Sequence, residues 1–183
     1  MPLTQVDENA ALVVIDLQRN IVGRFAEAAQ QTVANSAALA AEFRAAGRSV
    51  VLVNVATRPP GRTDVGAGTG EFAADDIIVD ASLGSAADDI LVTKRGWGAF
   101  TNTDLDARLR ERGVTQVVMT GISTSIGVES TARSAYEHGY HVVLVEDAMT
   151  DSGTAAHDYS VTSIFPKLGE VTTTADVIAE LHG

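Results

Sequence analysis

Apolar residues along this chain fall into short β-branched runs, separated by longer stretches whose apolar positions recur at helical spacing. The runs cover residues 11–15, 49–55, 90–93, 116–120 and 141–145, with a shorter one at 170–172. Runs that stay apolar on consecutive residues, rather than on alternate ones, suit strands covered on both faces of a parallel sheet. Between them, residues 27–46, 104–112, 128–138 and 154–165 carry apolar side chains three and four apart, and residues 175–181 close the chain in the same way. Each stretch predicts a helix with one face on the sheet.

Punctuation agrees with this division. Gly47, Gly113 and Gly139 stand just past three of the helices, where a left-handed residue readily ends a helix. Asn102 or Thr103, Ser152, and Thr173 or Thr174 are predicted N-caps, since their side chains can accept from an unpaired first-turn amide. Strand and helix alternating about six times predicts an α/β fold, a three-layer α/β/α domain with a doubly wound parallel sheet and right-handed crossovers. A chain of 183 residues fits one such domain, spanning 1–183.

The least regular stretch is residues 57–76, which carries Pro59, Pro60, Gly61, Gly66, Gly68 and Gly70 and predicts a long loop. Its Gly66-Ala67-Gly68-Thr69-Gly70 tract does not follow a strand directly and lacks a Gly-Lys-Ser/Thr ending, so it is not expected to bind phosphate. A binding lid and a plain surface excursion are both open for this loop.

Composition narrows the function. With 24 acidic against 13 basic residues the chain carries a formal charge of −11, which repels nucleic acid and anionic membrane surfaces. No apolar run reaches the ~18 residues of a membrane span, and Met1-Pro2-Leu3-Thr4 does not begin a secretory signal, so a cytoplasmic protein is expected. Cysteine is absent, which removes disulfides, thiolate metal sites and thiol nucleophiles together.

Ligands of open parallel sheets bind at the carboxyl ends of strands, so the residues after each apolar run are the candidates for chemistry. Asp16 follows the first run, Lys94 the third, and the segment Gly121-Ile122-Ser123-Thr124-Ser125-Ile126-Gly127 the fourth. An acid and an amine at two strand tips can hold each other's charge in a low-dielectric crevice, although a loop-capping aspartate is the plainer reading. The 121–127 segment opens a helix, and its amides can receive an oxyanion or carboxylate. Gly127 leaves space there, or serves tight backbone packing.

Taken in order, these motifs resemble the isochorismatase-like hydrolase superfamily: Asp16-Leu17-Gln18, Lys94-Arg95-Gly96-Trp97-Gly98-Ala99-Phe100, the stretch from Gly121 to Arg133, and Gly139-Tyr140 through Asp147-Ala148. The resemblance runs through nearly the whole chain, including His157 and Gly169-Glu170-Val171-Thr172-Thr173. It implies a six-stranded parallel sheet, a homodimer or higher homo-oligomer, a small-molecule substrate, no cofactor and, in amide-cleaving members, an Asp–Lys–Cys triad. Asp16 and Lys94 match two members of that triad, and the cysteine falls at Gly127. Thiol catalysis of the nicotinamidase or N-carbamoyl amidase kind is therefore not expected. The Asp and His metal cluster of nicotinamidases has no counterpart around Thr57-Arg58-Pro59-Pro60, and no metal site is expected.

Isochorismatases of siderophore and phenazine pathways also carry glycine at that position and cleave a vinyl ether without a covalent intermediate. By this resemblance Asp16 is a general acid, Lys94 orients it, and Gln18, Trp97, Phe100, Ile122, Ser123 and Ser125 contact substrate. Core packing is the competing role for Trp97 and Phe100. Those enzymes have Tyr-Ala-His where this chain has Ser123-Thr124-Ser125, so isochorismate itself is not the expected substrate.

Two rival readings stay open. Ser123 or Ser125 with Asp147 and His157 follows the chain order of a serine hydrolase, though the glycine two residues after the serine is missing. A catalytically inactive binding module on the same fold is the other. Glu129, Arg133 and Glu137 stand four apart and predict exposed ion pairs, and His138 and His141 predict structural roles.

Overall fold

The computed structural model describes every residue except Met1, Pro2, Val65, Ala67, Gly68 and Thr69, so most of the Gly66 to Gly70 tract and the first two residues lie outside the described residues. Six strands run in parallel: β1 (Ala10–Ile15), β2 (Ser49–Val55), β3 (Ile90–Lys94), β4 (Gln116–Ile122), β5 (His141–Thr150) and β6 (Glu170–Thr172). Their order across the sheet is β3-β2-β1-β4-β5-β6. The chain thus winds outward from β1 in one direction and from β4 in the other, leaving a crevice at the carboxyl ends of these two neighbours.

Burial on both faces explains the unbroken apolar runs. Ala11, Val13 and Ile15 point into one layer with Val117 and Met119, against α2 (Leu105–Glu111) and α3 (Glu129–Glu137). Ala10, Leu12 and Val14 point into the other, against Leu39, Ala40 and Phe43 of α1 (Arg19–Ala45) and Val177 of α5 (Thr174–His182). All six residues of β1 are buried. Gly47, Gly113 and Gly139 adopt φ of 68°, 66° and 85° at the ends of α1, α2 and α3, as their placement predicts.

Four element predictions need correction. Helix α1 begins at Arg19, eight residues before the predicted start at residue 27, because Asn20 and Arg24 interrupt the apolar periodicity on a face that looks into the crevice rather than the core. The predicted helix over 154–165 is α-helical only as α4 (Thr154–Tyr159) and then widens into a π turn at Ser160–Ile164. Ser152 does not cap α4; Gly153 holds that position and the Ser152 hydroxyl donates to Asp151. Thr173 does cap α5, accepting from the Asp176 amide, whereas Asp104 rather than Asn102 or Thr103 holds the N-cap position of α2, with Thr103 accepting from the Leu105 amide.

The loop after β2 is partly ordered against the sheet. Thr57 bridges Glu71 in antiparallel fashion, and the Phe72 amide donates to the Ala56 carbonyl at 2.8 Å. That return turns Phe72 over the crevice. No described helix is long and apolar enough to cross a membrane.

Glycine is required where β1 and β4 touch. Gly121 has φ 126°, and a Cβ there would lie 2.0 Å from the Ile15 carbonyl oxygen, a backbone atom that cannot move aside. Gly121→Ala is expected to lose at least about 3 kcal/mol in urea unfolding or fail to fold. Gly23→Ala, in helical open space with nothing within 4 Å, is expected to gain about 0.5–1 kcal/mol. Equal stabilities for the two variants would contradict the packing described.

Candidate functional site

The chain leaves β1 through Asp16, whose φ of 55° lies in the left-handed region that aspartate and asparagine tolerate best. This turn, anchored by the Asp16 amide on the Val53 carbonyl, coexists with a buried carboxylate, the side chain being only 6% exposed. Lys94, the last residue of β3 and 1% exposed, meets Asp16 Oδ2 at 2.7 Å. Lys94 Nζ also donates to the Gly96 and Trp97 carbonyls at 3.1 and 2.7 Å. An ammonium has three protons to give, and all three have acceptors.

Asp16 is less well served. Oδ1 is buried without a hydrogen-bond partner, so an ionised carboxylate there keeps one oxygen unsolvated. Burial accordingly pushes the Asp16 carboxyl up to about 6, against the opposing pull of the Lys94 charge and hydrogen bond. A buried acid that keeps its proton to nearly neutral pH is suited to proton transfer.

Gly127 lies beside this pair. A Cβ built on it would stand 3.1 Å from Asp16 Oδ2 and 3.1 Å from Ile15 Cγ2. Its segment starts with a cis peptide between Ile122 and Ser123 and continues as a π turn, Thr124–Val128, closed by the Val128 amide on the Ser123 carbonyl at 3.1 Å. Asp16, Lys94 and Gly127 all line one cavity of about 600 Å3, within the ordinary range for small-molecule sites.

The sequence-predicted contact residues divide. Trp97, Ile122 and Ser123 line the cavity, Trp97 being 59% exposed at its edge. Gln18, Phe100 and Ser125 do not. Gln18 is fully buried, and its amide accepts from the Val55 amide and donates to the Val55 carbonyl and Asn20, tying the β1 exit to the end of β2. Phe100 is 8% exposed and stacks on His138 with ring centroids 5.1 Å apart, which is core packing. Ser125 turns its hydroxyl and amide to Asp151 Oδ2, both at 2.7 Å.

The serine hydrolase relay is not assembled. His157 Nδ1 faces Thr124 Oγ1 at 2.9 Å, Asp147 accepts from the Thr174 amide and hydroxyl, and neither Ser123 nor Ser125 bonds to either residue. Glu129 pairs with Arg133 on α3 and takes a further bond from Ser160.

Sequence reasoning missed Asn20, Arg24, Phe25, Arg58, Phe72 and Asp151, all of which line the cavity. The signal for the first three was present: Asn20, Ile21, Arg24, Phe25 and Ala28 follow helical spacing along one face of α1. Asp151 was hidden because β5 continues through the polar Glu146 and Asp147 to Thr150, past an irregularity in its pairing with β4. The acid at the strand tip is therefore Asp151 rather than Asp147. Among the described residues, no group of three His, Asp or Glu side chains is placed to hold a metal ion.

The raised Asp16 carboxyl makes stability depend on pH with a definite sign. Between about 4 and 6 the folded protein holds a proton that the unfolded chain has released, so this group's contribution to stability is full below about 4 and falls as pH rises through about 6. Asp16→Asn, which keeps the left-handed turn, is expected to remove that slope, changing the wild-type-minus-variant difference by on the order of 3 kcal/mol between pH 4 and 7. Parallel stability curves in urea would contradict the shift.

Comparison with known proteins places this arrangement. The Isochorismatase domain family matches residues 10–176. The chain is 38% identical to the isochorismatase family protein YwoC of Bacillus subtilis, over 95% of each chain. It is 31% identical to the ureidoacrylate amidohydrolase RutB of Variovorax paradoxus, over 97% of this chain and 83% of that one. Among solved structures it superposes on an isochorismatase family protein from Burkholderia thailandensis with a TM-score of 0.90, 42% identity and 98% coverage of both chains. N-carbamoylsarcosine amidase from Thermoplasma acidophilum follows the same fold, with a TM-score of 0.71, 26% identity, and 91% and 96% of the two chains covered. A family match over most of the chain, together with full-length relatives at this identity, means that the chain belongs to the isochorismatase family of hydrolases.

Proposed function

We propose that this protein hydrolyses a small molecule by acid catalysis from Asp16, without a covalent intermediate, the bond cleaved being a vinyl ether or a related C–O or C–N bond. The observation that carries this reading is the buried Asp16–Lys94 pair, joined at 2.7 Å, at a cavity where Gly127 packs closely against the Asp16 carboxylate. Two relatives bear names that denote amide cleavage, but this chain has no cysteine with which to attack an acyl carbon. What it keeps is a protonatable acid and a fixed cation.

Cleavage of a vinyl ether takes three steps. The Asp16 carboxyl gives its proton to the terminal vinyl carbon as the C=C electron pair forms the new C–H bond, leaving an oxocarbenium ion beside the Asp16 carboxylate. Water adds to the cationic carbon and returns a proton to Asp16. The hemiketal then breaks its C–O bond, giving a ketone and an alcohol. Lys94 holds Oδ2 in place and stabilises the carboxylate that appears once the proton has left. Ile122, Ser123 and Trp97 bound the space where the substrate sits.

The same reading places the enzyme in the cytoplasm, as a homodimer or larger assembly. Exposed Leu91 (64%) and Tyr159 (62%) offer apolar surface for such contacts.

A panel of small vinyl ethers, esters, amides and ureido compounds tests the reaction class. Turnover of at least one compound is expected, with kcat falling as pH rises above about 6, where Asp16 loses its proton. Asp16→Asn should lower kcat by about 10^3-fold, within the range of a removed general acid. Lys94→Met should lower it comparably and raise the Asp16 pKa further. A fluorophosphonate label on Ser123 or Ser125, or undiminished turnover in Asp16→Asn, would overturn the proposal. No turnover across the panel would favour a binding module instead.

A further inference from the structure

We infer that Arg24 and Arg58 form an anion subsite at the cavity, so that the substrate is a small organic carboxylate with an apolar body. This inference rests on the cavity being the substrate site, and it adds what that site selects.

Charge at the cavity runs opposite to charge over the molecule. The whole chain carries −11, yet the cavity is lined by Arg24, Arg58 and Lys94 against only Asp16 and Asp151. Both acids are already engaged. Asp16 pairs with Lys94, while Asp151 accepts from the amides and hydroxyls of Ser125 and Ser152, two bonds on each of its oxygens.

The two arginines are left over. Among the described residues, neither has a carboxylate within ion-pair distance, a state they share with Arg19, Arg48, Arg62 and Arg112 away from the cavity, whereas Arg44, Arg95, Arg108, Arg110 and Arg133 each pair with one. Arg95 is the informative contrast, since it lies beside the same mouth and is neutralised by Glu71. Two unpaired guanidiniums at a concave site in an acidic protein raise the local concentration of an anion and suit a carboxylate's planar oxygens.

Their positions agree with a substrate spanning the cavity. Arg24 projects from the α1 face that also presents Phe25, and Arg58 from the loop after β2 whose return strand carries Phe72. An apolar body packed on these rings would leave its charged group to the arginines and its reactive bond toward Asp16.

Calorimetric binding of matched pairs tests this: benzoate against benzamide, phenylacetate against phenylacetamide, and cinnamate against cinnamamide. At least one acid is expected to bind the wild type about ten-fold more tightly than its amide, the scale of a charge-assisted contact. The double variant Arg24→Gln/Arg58→Gln should bring that ratio to within about two-fold, with amide affinity and thermal midpoint unchanged. No acid preferred over its amide, or a preference that survives in the double variant, would overturn the inference. Binding reads no turnover, so the preference should persist in Asp16→Asn. A preference without hydrolysis would sink only the catalytic reading, and hydrolysis without a preference only the anion subsite.

Discussion

A carboxylate and an ammonium buried together at the tips of two strands are the constraint around which this structure is arranged. Neither would be tolerated there alone, since an isolated buried charge costs several kcal/mol and is relieved by changing its protonation. Lys94 meets the requirement completely, with three acceptors for three protons. Asp16 meets it on one oxygen only, Oδ1 being buried without a partner, and burial keeps its proton affinity high against the pull of Lys94. The imbalance within the pair is the chemical resource of the site.

The fold delivers the pair by ordinary means. Parallel strands bring all carboxyl ends to one edge, and the reversal of winding between β1 and β4 opens a crevice at that edge. Asp16 closes β1 by a left-handed turn, Gly121 lets β4 lie against the Ile15 backbone, and Gly127, lacking a Cβ, lets its segment pack closely against the Asp16 carboxylate. Burial of β1 on both faces holds it in the middle of the sheet, and its ladders to β2 and β4, which pair Ile15 with Val53 and with Gly121, set its register.

Much of this was legible in the sequence. Six apolar runs gave six parallel strands, and the residues after the first, third and fourth runs line the same cavity. The losses have a common cause, which is polar residues inside regular elements. Asn20 and Arg24 hid the first two turns of α1 because that face looks into the cavity, and Glu146 and Asp147 hid the end of β5. Gln18, Phe100 and Ser125 stand next to cavity residues in the chain but turn to β2, to His138 and to Asp151. Motif membership placed them near the site, while side-chain direction, which a motif does not carry, decided against contact.

The central claim is that Asp16 remains protonated in the folded protein to well above the ordinary carboxylate range. Titration of its side-chain carboxyl carbon by NMR, assigned by comparison with Asp16→Asn, measures this directly. The account predicts a midpoint near 6. A carboxyl already ionised throughout the range above pH 4 would contradict it.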